Sequence, residues 1–260
     1  MKQQFIIKEN NPKLLIFFAG WACDETPFKH YRPKGSDYMI CYDYRNLDFD
    51  HSIFKQYKRV NVVAWSMGVW AASYVLNHAK KFKGISVAFN GTYQPIDDTV
   101  GIPPALFENT LRNLTPASLQ KFMRRICGTA EAYKEFMAIT PRRNFEEIKE
   151  ELQCIKELYC RESGLTWDEN GKMDDDGYDS DEFVKYLDTY YWKFNYIYIG
   201  EKDAIFPSEN MGLAFQDNPA LQLPGVHHYD AQVFQFLLED MWSMPIDEFI
   251  QEWWYDDRRY

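Results

Sequence analysis

Five short runs of nearly continuous apolar character punctuate the chain: Leu14-Leu15-Ile16-Phe17-Phe18, Tyr38-Met39-Ile40-Cys41-Tyr42, Val60-Asn61-Val62-Val63-Ala64, Ile85-Ser86-Val87-Ala88-Phe89 and Tyr196-Ile197-Tyr198-Ile199. Each has the length of a strand, and none alternates strictly, as expected of strands covered on both faces of a parallel sheet. A shorter run, Ala220-Leu221-Gln222-Leu223, and the strand-like start Met1-Lys2-Gln3-Gln4-Phe5-Ile6-Ile7 flank this set. Helical spacing follows Ser66, where Val69, Ala72 and Leu76 share one face, and the stretch from Ala231 to Trp254 reads as one or two helices with Pro245 placed to open the second. Strand, helix, strand alternation predicts an α/β fold, a mostly parallel, doubly wound sheet flanked by helices.

The interval from Asn90 to Phe194 breaks this rhythm. It is about a hundred residues long, whereas a crossover between parallel strands needs only a dozen or more. Much of it is helical in pattern, as in Ala117-Ser118-Leu119-Gln120-Lys121-Phe122-Met123 and Phe145-Glu146-Glu147-Ile148-Lys149-Glu150-Glu151-Leu152. The expected organisation is a core from residues 1–91 and 191–260, with residues 92–190 inserted as a helical lid.

Composition narrows the picture. A chain of 260 residues is long enough to bury a substantial core. Its net charge of −10 argues against nucleic acid or an anionic membrane as a partner, and no stretch approaches the roughly 20 apolar residues of a membrane span. The N-terminal run lacks the apolar core of a secretion signal. Five cysteines (Cys23, Cys41, Cys127, Cys154 and Cys160) follow no metal-ligand spacing, which predicts reduced thiols in a cytoplasmic protein and no metal site. The acidic stretch 168–182 suggests a calcium loop, but neither register fits: with Gly177 at the turn the first and last ligands are Lys172 and Phe183, and with Gly171 they are Thr166 and Gly177. It reads as a solvated loop.

The chemistry enters at Val62-Val63-Ala64-Trp65-Ser66-Met67-Gly68, a strand, then small-x-Ser-x-Gly, then a helix. This is the pattern of a nucleophile elbow, in which a tight strand-to-helix turn presents a serine in front of a helix N-terminus. Phe17-Phe18-Ala19-Gly20-Trp21 ends an earlier strand, where the following loop supplies an oxyanion donor; the backbone N–H groups of Trp21 and Met67 are the expected pair. Further on, Gly200-Glu201-Lys202-Asp203 and Gly225-Val226-His227-His228-Tyr229-Asp230 each follow a strand-like run. The order Ser, Asp, His with each residue just after a strand predicts a triad of Ser66, Asp203 and a histidine. Two histidines compete: His228 is preferred as the base and His227 is the alternative. His30, His51 and His78 lie near no matching motif and read as surface or structural residues.

The preference for His228 rests on a resemblance. Phe17-Phe18-Ala19-Gly20-Trp21, Cys41-Tyr42-Asp43-Tyr44-Arg45, Ala64-Trp65-Ser66-Met67-Gly68-Val69, Asn90-Gly91-Thr92, Pro95-Ile96-Asp97-Asp98, Gly101-Ile102-Pro103-Pro104 and Phe122-Met123-Arg124-Arg125-Ile126-Cys127-Gly128 resemble the BioG-type pimeloyl-acyl-carrier-protein methyl ester esterases of biotin synthesis. The elbow is common to a whole superfamily, but the stretch from Asn90 to Pro104 is particular to this family. The resemblance implies an α/β-hydrolase fold and a substrate consisting of acyl carrier protein bearing a pimeloyl methyl ester. It implies hydrolysis that releases methanol, with no metal or organic cofactor. Positive residues cluster in the insert, among them Arg124, Arg125, Arg142 and Arg143. Arginine forks suit phosphate and carboxylate groups, so these four are the expected docking surface for an acidic carrier. Two other functions fit the same sequence: a broader carboxylesterase or thioesterase with the same triad, and a non-catalytic binding protein on this fold.

Overall fold

In the computed structural model the described residues are all those except 80, 81, 169, 173–191, 219 and 244–260. The greater part of the acidic stretch and the helix expected after Pro245 fall outside them. Seven strands form one sheet: β1 (Lys2–Ile7), β2 (Lys13–Phe18), β3 (Ser36–Tyr42), β4 (Arg59–Trp65), β5 (Ser86–Phe89), β6 (Tyr196–Gly200) and β7 (Ala220–Leu223). Their order is β1-β3-β2-β4-β5-β6-β7. All neighbours run parallel except β1, which pairs antiparallel with β3.

Each apolar run of the sequence is one of these strands. The continuous runs β2, β3 and β4 sit at or near the middle of the sheet and are buried along nearly their whole length. At the edges β1 is half-buried, and β7 is exposed except at Leu223. The strand order reverses between β2 and β4: from β2 the chain moves to one side to make β3, then returns to make β4 on the other. A crevice forms at such a switch point, beyond the carboxyl ends of the strands, and the loops after β2 and β4 are those carrying Gly20-Trp21 and Ser66.

Helix α1 (Met67–Asn77) starts directly at the end of β4 and is buried along most of its length. It can press against β2 because Gly68 has no side chain; a Cβ there would lie 2.3 Å from the Phe18 carbonyl oxygen. Between β5 and β6 the described residues form four helices, α2 (Pro104–Arg112), α3 (Pro116–Cys127), α4 (Ala130–Ala138) and α5 (Phe145–Ser163). Local sequence sets their ends. Thr115 and Ser118 form a reciprocal capping box on α3 with Pro116 in its first turn, and Gly128 ends it at φ +72°. Asn144 caps α5, which Gly164 closes in the left-handed region. The last described α-helices are α6 (Ser208–Ala214) and α7 (Ala231–Leu238). Asp230 caps α7 by accepting from the backbone N–H groups of Gln232 and Val233.

An aromatic cluster ties this last helix to the sheet beneath the crevice. Phe234 of α7 meets Trp65 at 5.1 Å, Phe28 at 5.0 Å, Phe89 at 5.6 Å and Phe17 at 5.8 Å between ring centroids, three of these four contacts edge-to-face. Such pairs contribute about 0.5–1.5 kcal/mol each beyond their buried area. They fix the start of α7, and so the loop that precedes it.

Candidate active site

Ser66 sits at the turn between β4 and α1 with φ 60° and ψ −131°. A non-glycine residue in this region is strained and is held only by its surroundings. Here the Ser66 N–H donates to the Phe89 carbonyl at 3.1 Å, and Gly20 lies so close that a Cβ on it would sit 3.0 Å from Ser66 Cβ. The loop after β2 therefore touches the serine.

The loops after β6 and β7 bring the other two residues. Ser66 Oγ lies 3.0 Å from His228 Nε2, and His228 Nδ1 lies 2.7 Å from Asp203 Oδ2. Asp203 and His228 have buried side chains. The remaining Asp203 oxygen accepts from the backbone N–H groups of Ile205 and Phe206 at 2.7 and 3.0 Å. An ionised carboxylate only accepts hydrogen bonds, so Nδ1 carries the imidazole proton and Nε2 is left to accept from the serine hydroxyl. The structure thus assembles Ser66, Asp203 and His228. It does not bring His227 to the serine: that ring rests on Gly128, with Nδ1 3.2 Å from the Lys202 carbonyl, and lines a cavity of about 480 Å³ beside His30, Cys127 and Lys202.

Three residues that the sequence reading did not single out hold His228 in place. Trp65 Nε1 donates to the His228 carbonyl at 2.9 Å, and its ring lies 5.2 Å from the imidazole. The Phe206 ring lies nearly parallel to the imidazole, 6.0 Å away at an interplanar angle of 10°. Asn90, at the end of β5, donates from Nδ2 to the carbonyls of His227 and His228 at 2.9 and 3.1 Å, while its Oδ1 accepts from Gly200 N–H at 2.7 Å. One buried amide therefore joins the loop carrying the histidine to the loop carrying the aspartate. Its φ of 47° falls in the left-handed region, where asparagine is enriched among non-glycine residues. The sequence signal was the Asn90-Gly91-Thr92 motif.

The backbone N–H groups of Trp21 and Met67 have no acceptor among the described residues. Around Trp21 several neighbouring groups are engaged. Ala19 N–H donates to the Cys41 carbonyl at 2.9 Å, Tyr44 Oη donates to the Ala19 carbonyl at 2.6 Å, and Trp21 Nε1 donates to the Ile148 carbonyl of α5 at 2.9 Å. Phe122 of α3 covers the Trp21 ring edge-on at 5.0 Å.

The four arginines of the insert separate. Arg124 and Arg125 are exposed on α3 and Arg142 is exposed before α5. Arg143 corrects the expectation: its side chain is only 4% exposed and pairs with Glu151 at 2.6 Å and Asp43 at 3.1 Å. A guanidinium committed to two buried carboxylates cannot present its fork to a carrier. Among the described residues no group of three or more His, Cys, Asp or Glu side chains is arranged to hold a metal, and no helix is long and apolar enough to cross a membrane.

A sheet with one antiparallel edge strand, a serine at the sharp turn after its central strand, and Asp and His on later loops define the α/β-hydrolase class. Solved structures agree: the BioG protein of Haemophilus influenzae superposes with a TM-score of 0.73 at 31% identity, covering 90% of this chain and 97% of that one. A bromoperoxidase from Bacillus anthracis gives 0.52 at 16% identity over 87% of each chain, a likeness of fold alone. The family model described as Pimeloyl-ACP methyl esterase BioG matches residues 1–166, and the chain belongs to that family. A curated relative, the malonyl-[acyl-carrier protein] O-methyltransferase of Bacteroides fragilis, is 44% identical over 223 residues, which is 85% of this chain and 40% of the relative's length.

Proposed function

We propose that the protein is a serine esterase that hydrolyses the methyl ester of a pimeloyl chain carried on acyl carrier protein, a cytoplasmic step of biotin synthesis. The observation that carries this reading is the hydrogen-bonded chain from Asp203 through His228 to Ser66. Family membership supports the substrate. A relative whose name joins an acyl carrier protein to a methyl group supports both the carrier and the ester. The methyl transfer in that name is not carried over, since only 40% of the relative aligns with this chain.

Each residue has a task in this reaction. His228 Nε2 takes the hydroxyl proton as Ser66 Oγ attacks the ester carbonyl carbon. The carbonyl oxygen becomes an oxyanion, stabilised by the free N–H groups of Trp21 and Met67 and by the N-terminus of α1. Asp203 holds the imidazole in its tautomer and stabilises the imidazolium. The tetrahedral intermediate collapses, the methoxy group leaves with the proton from His228 as methanol, and the acyl group stays on Ser66. Water then gives a proton to His228, attacks the acyl carbon and releases the free carboxylate, and His228 returns the proton to Ser66. The sequence requires no cofactor. Residues 92–190 act as the lid, whose exposed Arg124, Arg125 and Arg142 meet the acidic carrier.

The test is hydrolysis of the carrier-bound methyl ester, read by methanol release. Ser66→Ala should abolish turnover while the protein stays folded. His228→Ala should lower kcat by roughly 10⁴-fold or more, as triad members act as a unit, whereas His227→Ala should retain most activity. Release of the carrier thiol in place of methanol would make the enzyme a thioesterase. Failure of a fluorophosphonate to label Ser66 would leave a binding protein.

A further inference from the structure

The most deeply buried carboxylate among the described residues of the insert is not accounted for by the triad. Glu151 lies on α5, is 0% exposed, and shares the buried face of the helix with Ile148, Leu152 and Ile155. It reaches into the back of the loop that carries Trp21. Its Oε2 accepts from the backbone N–H of Ala22 at 3.3 Å and its Oε1 from that of Tyr44 at 2.8 Å. Arg143 neutralises it through Nη1 at 2.6 Å, and the same Nη1 donates to the Cys23 carbonyl at 3.3 Å. Ala22, next to Trp21, has a φ of 67°, and Asp43, next to Tyr44, a φ of 64°. Both are non-glycine residues in the left-handed region, a conformation that costs energy and persists only when external contacts impose it. The two backbone N–H groups held by Glu151 each belong to one of these strained turns.

We propose that Glu151, with Arg143 as its countercharge, is a positioning residue for the oxyanion site: a carboxylate on the inserted helix α5 that fixes the strained turn at Ala22 and thereby aims the Trp21 N–H at the reacting carbonyl. The insert then supplies part of the geometry of catalysis as well as a cover over it. This rests on the serine-esterase reading given above. Glu151 touches no reacting atom. It acts through the backbone of Trp21, which links the Ala22 N–H to the Trp21 N–H, a donor whose distance to the oxyanion must be right to a fraction of an ångström to be effective. The second anchor, Tyr44 N–H, works in the same direction, because Tyr44 Oη holds the Ala19 carbonyl at the start of the same loop.

A positioning role predicts a loss confined to the charged intermediate. Glu151→Gln keeps the size and one acceptor oxygen, and Glu151→Ala keeps neither. Rates are taken per active site, counted by fluorophosphonate titration, so that partial unfolding does not enter. On a small soluble ester kcat should fall in the order parent, Gln, Ala, by about 10- to 100-fold for Ala, less than the 10²–10³-fold typical of deleting an oxyanion donor outright, with KM changed less than twofold. Affinity for an alkyl trifluoromethyl ketone, which adds Ser66 Oγ and leaves a charged oxygen in the oxyanion position, should fall by the same factor as kcat. Arg143→Lys, which keeps a cation but loses the fork, is expected to show the same pairing and serves if the Glu151 variants yield no titratable enzyme. If the variants lose titratable sites but keep kcat per site and ketone affinity, Glu151 is merely structural and the proposal is overturned. If the parent protein itself binds neither reagent at Ser66, it is the esterase reading that fails.

Discussion

His228 has its ring beside those of Trp65 and Phe206 and its carbonyl bonded twice, by Trp65 Nε1 and by Asn90 Nδ2. Of these, Asn90 is the residue whose chemistry is hardest to replace, since its amide donates on one side and accepts from Gly200 N–H on the other. Asn90→Ala would leave buried groups unpaired at a cost of about 1–3 kcal/mol each, so a lower melting temperature and a kcat reduced by about 10-fold are expected. Asn90→Asp tests the mechanism more sharply. It keeps an acceptor for Gly200 but turns the donor into an oxygen facing two carbonyl oxygens, so its kcat should fall below that of Ala. An Asp variant as active as the parent would show that the amide does not position the base. The hydrogen-bonded trio of Ser66, His228 and Asp203 was legible in the sequence because each member follows a strand in a fixed order. The bonding roles of Asn90 and Glu151 were not, because no fixed order of motifs ties them to their partners, 138 residues from Asn90 to His228 and 129 from Ala22 to Glu151. A trace of Glu151 was present nonetheless: it falls in the apolar stripe of α5 with Ile148, Leu152 and Ile155, a place where an unpaired acid does not belong.

At the level of elements, strands with continuous apolar runs were readable because burial on both faces removes the need for alternation. The orientation of β1 was not, since its half-buried pattern suits an edge strand of either sense. Part of what binds these elements to the insert is ionic. Asp43, just after β3, accepts both arms of the Arg45 fork at 2.8 Å and pairs with Arg143 and Lys2, while Arg45 reaches on to Glu147 and Glu150 of α5. Burial alone would push the Asp43 carboxyl up, but Arg45, Arg143 and Lys2 outweigh it and hold the group down at about 2. A carboxyl whose pKa is lower folded than unfolded, where it is about 3.9, contributes stability that is complete above the unfolded value and is lost as pH falls through the folded one. The window is therefore about pH 4 to 2 and the contribution about 2 kcal/mol. Asp43→Asn should be less stable than the parent by about that amount at neutral pH in urea unfolding, and the gap should close across this window. A gap that stays constant from pH 7 to 2 would mean that Asp43 stabilises by shape and not by charge.

Across the whole molecule, charge is distributed against its own average: the chain carries −10, yet α3 and the turn before α5 present Arg124, Arg125 and Arg142 to solvent. A carrier protein of acidic surface would be repelled by most of this molecule and attracted by that face, which would orient the encounter before any acyl chain enters. Replacing the three exposed arginines by glutamine should lower kcat/KM for the carrier-bound methyl ester by about 10-fold at low salt, on the basis of roughly 0.5 kcal/mol for each partly screened pair. The difference from the parent should shrink as salt rises, because the same screening weakens the parent's attraction. Hydrolysis of a small free ester should stay unchanged, since that substrate meets no docking surface. Arg143 separates docking from positioning within one experiment. Its side chain is locked between Asp43 and Glu151, so Arg143→Gln should harm both substrates alike and its effect should be nearly indifferent to salt, as buried pairs are screened far less than exposed ones. If the triple variant damaged free-ester hydrolysis as much as carrier-ester hydrolysis, the exposed arginines would be supporting the insert's own packing and the carrier would be held elsewhere.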